Sequence, residues 1–179
     1  MQLFFCIPII AICQNIKIAL FYTQNHILIR GGSVIHIFNR PYAVACIRGG
    51  EGSRVTGIVR FYCEGEGTLV VAQIRGLPQT DSGFFGFHIH EGDNCGGTDY
   101  AETGSHYNLK NMPHPRHTGD LPNLLSCNGN AFLVVRTDRF IPGDVMGRTV
   151  VVYSRPDDAH SQPSGDSGQK IACGLIRKV

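Results

Sequence analysis

The chain predicts an all-β domain, a β-sandwich or flattened Greek-key barrel carrying long loops, on three observations. Seven short runs of apolar and β-branched residues are each bounded by Gly, Pro, Asn or Asp. Twenty-two glycines and nine prolines in 179 residues leave no sustained helical periodicity. Two connections, 91–127 and 154–169, exceed ordinary turn lengths and are therefore expected to be functional. A composition 42% hydrophobic and 17% charged reads as an ordinary soluble globular domain with length enough for one substantial core.

The elements follow in order. Residues 1–40 read as a degenerate leader or as a start placed too far upstream. Leu3 to Cys13 has the length of a signal-peptide apolar region, yet no basic residue precedes it and no small-residue cleavage site follows. Gln14, Asn15 and Lys17 interrupt it too early for a membrane-spanning helix. The domain proper is expected over 41–179, with strands at Tyr42–Arg48, Thr56–Tyr62, Thr68–Arg75, Gly83–His90, Ala131–Arg136, Arg148–Tyr153 and Lys170–Ile176.

Charge excludes one class of partner. All fourteen acidic residues lie after position 50, and of sixteen basic residues only Lys17, Arg30 and Arg40 precede position 41, so the domain is close to neutral. A nucleic-acid partner would require a concentrated basic face.

Five of the eight histidines fall between 88 and 117. His88 and His90 sit in an alternating run, where residues i and i+2 share a face, so both rings reach one centre while Phe87 and Ile89 pack on the other side. The steps of three joining His114, His117 and Asp120 look helical, but Pro113, Pro115 and Gly119 argue for a shaped loop. Imidazoles with one carboxylate form a donor set suited to zinc or another divalent first-row metal, and His106 lies in the preceding turn.

The segments Gly86-Phe-His-Ile-His-Glu-Gly92, Gly104-Ser-His-Tyr-Asn108, His117-Thr-Gly-Asp-Leu121, Gly147-Arg-Thr-Val-Val-Val152, Pro156-Asp-Asp158 and Ile171-Ala-Cys-Gly-Leu-Ile176 resemble the copper/zinc superoxide dismutase family. They stand in the family's order from about Arg40 to the C-terminus. The short interval from His114 to His117 and the following Asp-Leu-Pro122 resemble its bacterial branch. The resemblance implies an eight-stranded Greek-key barrel. It also implies copper on His88, His90 and His106, with His106 bridging to zinc on His106, His114, His117 and Asp120. In the family, copper alternates between Cu(II) and Cu(I), oxidising one superoxide to oxygen and reducing the next to hydrogen peroxide. His106 would act as ligand and proton carrier, and zinc would hold and tune its ring.

One copper ligand is missing. The family places a histidine after Gly-Arg-Thr and three apolar residues, where this chain has Tyr153. A phenol, with an ordinary pKa near about 10, is a poor ligand unless it ionises, and Cu(II) prefers a nitrogen-rich field. Weakened copper binding, Tyr153 as an unusual ligand, and a water in its place are the alternatives.

The resemblance assigns further roles. Asp157 would accept hydrogen bonds from His88 and His114. Lys170 stands where the family usually has an arginine beside copper, and would supply positive charge for steering the anion without the planar fork. Cys95 and Cys173 would form an intramolecular disulfide, the alternative being two reduced thiols in a cytosolic protein. Arg148 reads as structural, Tyr107 and Asn108 as packing, and His160 as a weaker candidate for the vacant ligand position. Seven cysteines leave at least one unpaired, and Cys46, Cys63 and Cys127 read as core or surface residues.

Three functions remain in competition: a superoxide dismutase with weakened copper binding, a zinc-binding member of the fold without dismutase activity, and a copper buffer with an exchangeable site. The expected partner is the superoxide anion, with no clear membrane span. Family members occur as monomers and homodimers. An oxidised Cys95–Cys173 pair would favour the cell envelope or exterior over the cytoplasm.

Overall fold

The strands of residues 41–179 hydrogen-bond in one nine-stranded antiparallel sheet whose two ends come from a single stretch of chain. The computed structural model describes residues 40–179, and before them only short backbone pairings at 12–13, 16–17, 22–23, 26–28 and 34–35. The chain divides into a unit of residues 1–40 and a unit of residues 41–179. The reading of Leu3 to Cys13 as a degenerate leader lies outside the described residues apart from those backbone pairings. No helix among the described residues is long and apolar enough to cross a membrane.

The strands are β1 (Ala43–Gly49), β2 (Thr56–Glu64), β3 (Gly67–Arg75), β4 (Phe84–Phe85), β5 (Phe87–His90), β6 (Leu124–Cys127), β7 (Asn130–Thr137), β8 (Thr149–Tyr153) and β9 (Lys170–Lys178). Their order across the sheet is β5-β8-β9-β1-β2-β3-β7-β6-β4. β1, β2 and β3 form a meander, whereas the chain crosses over between β3 and β4, β5 and β6, and β7 and β8. The edge strands β4 and β5 flank Gly86, so the sheet curls into a nearly closed barrel.

Gly86 also explains a departure from the sequence reading. The single strand expected over Gly83–His90 is broken there, because Gly86 N–H donates to Arg155 O at 2.7 Å and its carbonyl accepts from Tyr153 N–H at 2.8 Å. A Cβ at this position would lie 2.9 Å from the Ser167 side chain. The split, with β6 hidden at the end of the expected long connection, gives nine strands where the sequence placed seven and the resemblance implied eight. β6 has only four residues and little alternation, so it carries a weak strand signal.

Alternation builds the core. Ala43, Ala45, Ile47, Val59, Phe61, Val70, Ala72, Ile74, Phe87, Ile89, Val150 and Val152 are all buried inside the barrel. Each large side chain among them contributes about 1.5–3 kcal/mol of transfer free energy. On the opposite face of β5, His88 and His90 are equally buried, covered by loops rather than by barrel wall. Val151, Tyr153 and Cys173 form a second small cluster, packed by Cys95 and Tyr100. The barrel thus supplies a rigid floor under polar side chains.

Candidate metal centre

Three pieces of chain deliver the polar side chains. β5 presents His88 and His90 on one face, as the two-residue repeat requires. His106 pairs with His90 in an isolated antiparallel bridge, and Asp120 pairs likewise with His88, so the connection after β5 folds back along it. Gly119 N–H donates to Tyr107 O at 2.8 Å and Ile89 N–H to Gly119 O at 2.9 Å. The loop from His114 to Asp120 is thereby stitched to the strand.

Two donor sets result, and they share a ring. Ligand atoms of His106, His114, His117 and Asp120 all lie within 4.8 Å of one another, as do those of His88, His90 and His106. Asp120 Oδ1 lies 2.7 Å from His106 Nδ1 and 3.3 Å from His117 Nδ1, and Asp120 Oδ2 lies 3.2 Å from His114 Nδ1. The rings of His88 and His106 stand 4.0 Å apart. His160, considered for the second set, is exposed and outside both.

The far nitrogens are fixed by neighbours. Asp157 Oδ2 accepts from His88 Nε2–H at 2.7 Å and Oδ1 from His114 Nε2–H at 2.9 Å, one carboxylate orienting a ring of each set. Asn123 holds that aspartate in turn, its side chain bonding both Asp157 O and Asp157 N–H at 2.8 Å. Gly165, at φ +70°, leaves room for the carboxylate, which a Cβ there would overlap. Gly104 O accepts from His90 Nδ1–H at 2.8 Å. Such partners set which nitrogen faces the centre.

What remains inside tests the fit to a metal. His88 Nδ1, His106 Nε2 and His114 Nδ1 are buried without a hydrogen-bond partner among the described residues. A buried unpaired polar atom costs roughly 1–3 kcal/mol. Three of them on two converging donor sets match the requirement of cations, and the nitrogen-and-oxygen set around Asp120 matches zinc.

The second set is compromised by Tyr153. This side chain is 5% exposed, and its O–H donates to His90 Nε2 at 2.9 Å, the nitrogen that turns toward the centre. Burial, reinforced by the Asp120 and Asp157 carboxylates, pushes its phenol above the ordinary range, so it stays protonated. Lys170 lies at the base of the neighbouring loop. Its Nζ donates to Thr103 Oγ1 at 2.7 Å, Gly104 O at 3.1 Å and Tyr100 O at 3.4 Å. All three ammonium donors therefore face the loop, including the carbonyl that holds His90. Arg148 donates to Glu91 O and lies over the Tyr107 ring at 4.8 Å, a structural placement.

Cys95 and Cys173 form a disulfide, with Cα atoms 5.8 Å apart, that ties the loop after β5 to β9. Cys46 and Cys63 are free and exposed. Sequence reasoning missed Asn123, Gln162 and Arg139. Gln162 bonds His114 N–H at 3.1 Å and His114 O at 2.7 Å from 48 residues away. No local motif signals such contacts.

The electrostatics give a pH prediction for the metal-free protein. Burial holds His88 below its ordinary value, against the Asp157 hydrogen bond, and lowers His90 to about 2, with His106 adding to the effect. Unfolded imidazoles bind protons below about 6.5 that these folded ones refuse. Stability is thus fully present above that pH and falls as pH drops through the window, by up to about 1.4 kcal/mol per unit for each ring. A second loss follows below about pH 4. Burial would raise Asp120 and Asp157, but His106 chiefly for Asp120, and His88 for Asp157, outweigh it and hold both carboxyls low. Urea unfolding of metal-free protein from pH 7.5 to 4.5 should show the first loss. A flat profile would refute it.

A nearly closed antiparallel barrel bearing two histidine-rich donor sets on a shared ring defines a class of metalloprotein. Residues 55–176 match the family model for copper/zinc superoxide dismutase. The chain is 38% identical over 153 residues to superoxide dismutase [Cu-Zn] 3 of Arabidopsis thaliana, covering 75% of this chain and 88% of that one. It is 34% identical over 157 residues to the superoxide dismutase [Cu-Zn] of Onchocerca volvulus, covering 75% and 94%. It is 35% identical over 148 residues to superoxide dismutase [Cu-Zn] 4 of Dictyostelium discoideum, covering 72% and 95%. The chain belongs to the copper/zinc superoxide dismutase family.

Proposed function

We propose that the domain of residues 41–179 converts superoxide to oxygen and hydrogen peroxide, with a complete zinc site at His106, His114, His117 and Asp120 and a weakened copper site at His88, His90 and His106. The observation that carries this reading is the shared ring of His106, whose Nε2 is unpartnered on the His88 side while its Nδ1 faces Asp120. When bound, copper supplies one-electron chemistry, and zinc, being redox-inert, supplies order and polarisation.

The chain's own residues orient and protect. Asp157 fixes His88 and His114 with their Nδ1 atoms inward. Lys170 adds positive charge beside the copper-side histidines, in a position to draw in a small anion while its hydrogen bonds anchor the loop. His106 is the group placed to carry a proton. The bacterial-branch likeness rests on the three-residue step from His114 to His117.

A specific observation favours a second reading, a zinc-binding member of the fold without dismutase activity. The Tyr153 hydroxyl engages His90 Nε2, so among the described residues of that set only His88 and His106 offer unengaged nitrogens to copper. Copper and zinc per chain, superoxide dismutation and copper exchange with a chelator, all on purified metal-loaded protein, separate the readings. Both metals with turnover support the dismutase. Zinc alone without turnover supports the second reading, and exchangeable copper without turnover makes the chain a copper buffer. Absence of both metals would overturn all three.

The Cys95–Cys173 disulfide supports placing the protein outside the cytoplasm, where such bonds persist. A homodimer is the assembly to test, by sedimentation of the metal-loaded chain.

A further inference from the structure

We propose that Arg139 is a positioning residue for the zinc loop, holding the backbone of His114–Asp120 in its binding shape from the end of β7. Arg139 Nη1 shares its two N–H groups among three carbonyls of that loop, Pro115 O at 3.0 Å, His117 O at 3.1 Å and Asp120 O at 3.1 Å. Two of these belong to residues of the donor set, and the third follows His114. The segment follows Pro113, contains Pro115 and Gly119 and forms no strand or helix, so beyond the stitches at Gly119 and Asp120 few ladder hydrogen bonds fix it. Three carbonyl oxygens gathered on one point repel one another unless a cation neutralises them, and the guanidinium is such a cation.

The launching point is rigid. Arg139 follows β7, where its N–H donates to Thr137 Oγ1 at 3.2 Å. The next residue, Phe140, is buried against Phe61, with ring centroids 6.5 Å apart, and its carbonyl accepts from Thr68 Oγ1 at 2.8 Å. A side chain anchored in the barrel thus reaches 19 to 24 residues back along the sequence. Among the described residues Arg139 forms no ion pair, in contrast to Arg155, which pairs with Asp166. Its observed side-chain hydrogen bonds all go to the loop, with the charge beside the Asp120 carbonyl.

The inference rests on the reading of His106, His114, His117 and Asp120 as a zinc set. Its test is the affinity of the full chain for Zn²⁺, measured by competition with a chelator for wild type, Arg139→Met and the exposed control Arg136→Met. Measurement well below the metal-free melting point keeps every variant folded, so a general loss of stability leaves affinity unchanged. Arg139→Met, which keeps the aliphatic stem, is expected to bind Zn²⁺ about 10–100-fold more weakly, the usual cost of losing a partner that orients metal ligands. Arg136→Met should match wild type. Should Arg139→Met fail to fold, Arg139→Gln is read by the same criterion. Wild-type affinity in the variant would overturn the positioning role and leave the zinc reading standing. A wild-type chain that binds no Zn²⁺ would overturn the zinc reading and this inference together.

Discussion

Tyr153→His is expected to tighten copper binding by about a hundredfold or more and to raise dismutation with it. A hundredfold is only about 2.7 kcal/mol, a modest return for one added imidazole ligand. The substitution acts twice. It removes the hydroxyl that occupies His90 Nε2, and it offers a nitrogen from β8, on the same side of the sheet. The site is already prepared for a ring, since Tyr153 lies 5.3 Å from His88 and 5.8 Å from His90 between centroids. Tyr153→Phe separates the two effects, because it frees His90 Nε2 without adding a donor. The expected order of copper affinity is Tyr153→His, then Tyr153→Phe, then wild type, measured by competition with a copper chelator. Equal affinity in wild type and Tyr153→His would show that the missing histidine is unimportant and remove the weakened-copper part of the proposal.

Cys95→Ser is expected to lower stability by about 4 kcal/mol, on a chain-entropy account of a bridge with a sequence separation of 78. For a domain of this size that corresponds to a melting point lower by roughly 8–16 °C. The damage should also be local. The bridge packs Cys95 and Tyr100 over Val151, Tyr153 and Cys173, and the same loop gives Lys170 its acceptors and His90 its Gly104 carbonyl. Loosening it should therefore disturb the copper-side histidines before those around Asp120. Cys46→Ser and Cys63→Ser, at exposed thiols, should stay within about 0.5 kcal/mol of wild type in urea or thermal unfolding. A Cys95→Ser loss below about 1 kcal/mol would mean that the loop is held by its hydrogen bonds alone.

Legibility followed the range of the interactions. Apolar and β-branched runs bounded by turn residues placed most of β1, β2, β3, β7, β8 and β9, because each strand's composition is written in consecutive residues, whether it alternates like β1 or is buried throughout like β8. Period-two alternation put His88 and His90 on one face, and the structure brings them together with His106, His114, His117 and Asp120. The break at Gly86 escaped notice because it depends on Arg155, Tyr153 and Ser167, all at least 67 positions away. β6 escaped because it has only four residues and one of its two partners, Phe84–Phe85, only two. Lys170 was expected to supply positive charge for steering the anion, but its hydrogen bonds to Tyr100, Thr103 and Gly104 could not be read from sequence, because they depend on a loop that the disulfide ties to β9.

The sequence by itself determined the all-β class, the identity of the metal-type side chains and the presence of Tyr153 where the family resemblance implies a histidine, since each is a matter of residue type at short spacing. Only the tertiary structure decided which nitrogen of each imidazole turns inward, that Tyr153 engages His90, and that Arg139 braces the loop around Asp120. Those outcomes depend mostly on hydrogen bonds between residues 14 to 69 positions apart. Their directions are set when the sheet closes and brings distant loops within about 3 Å of one another.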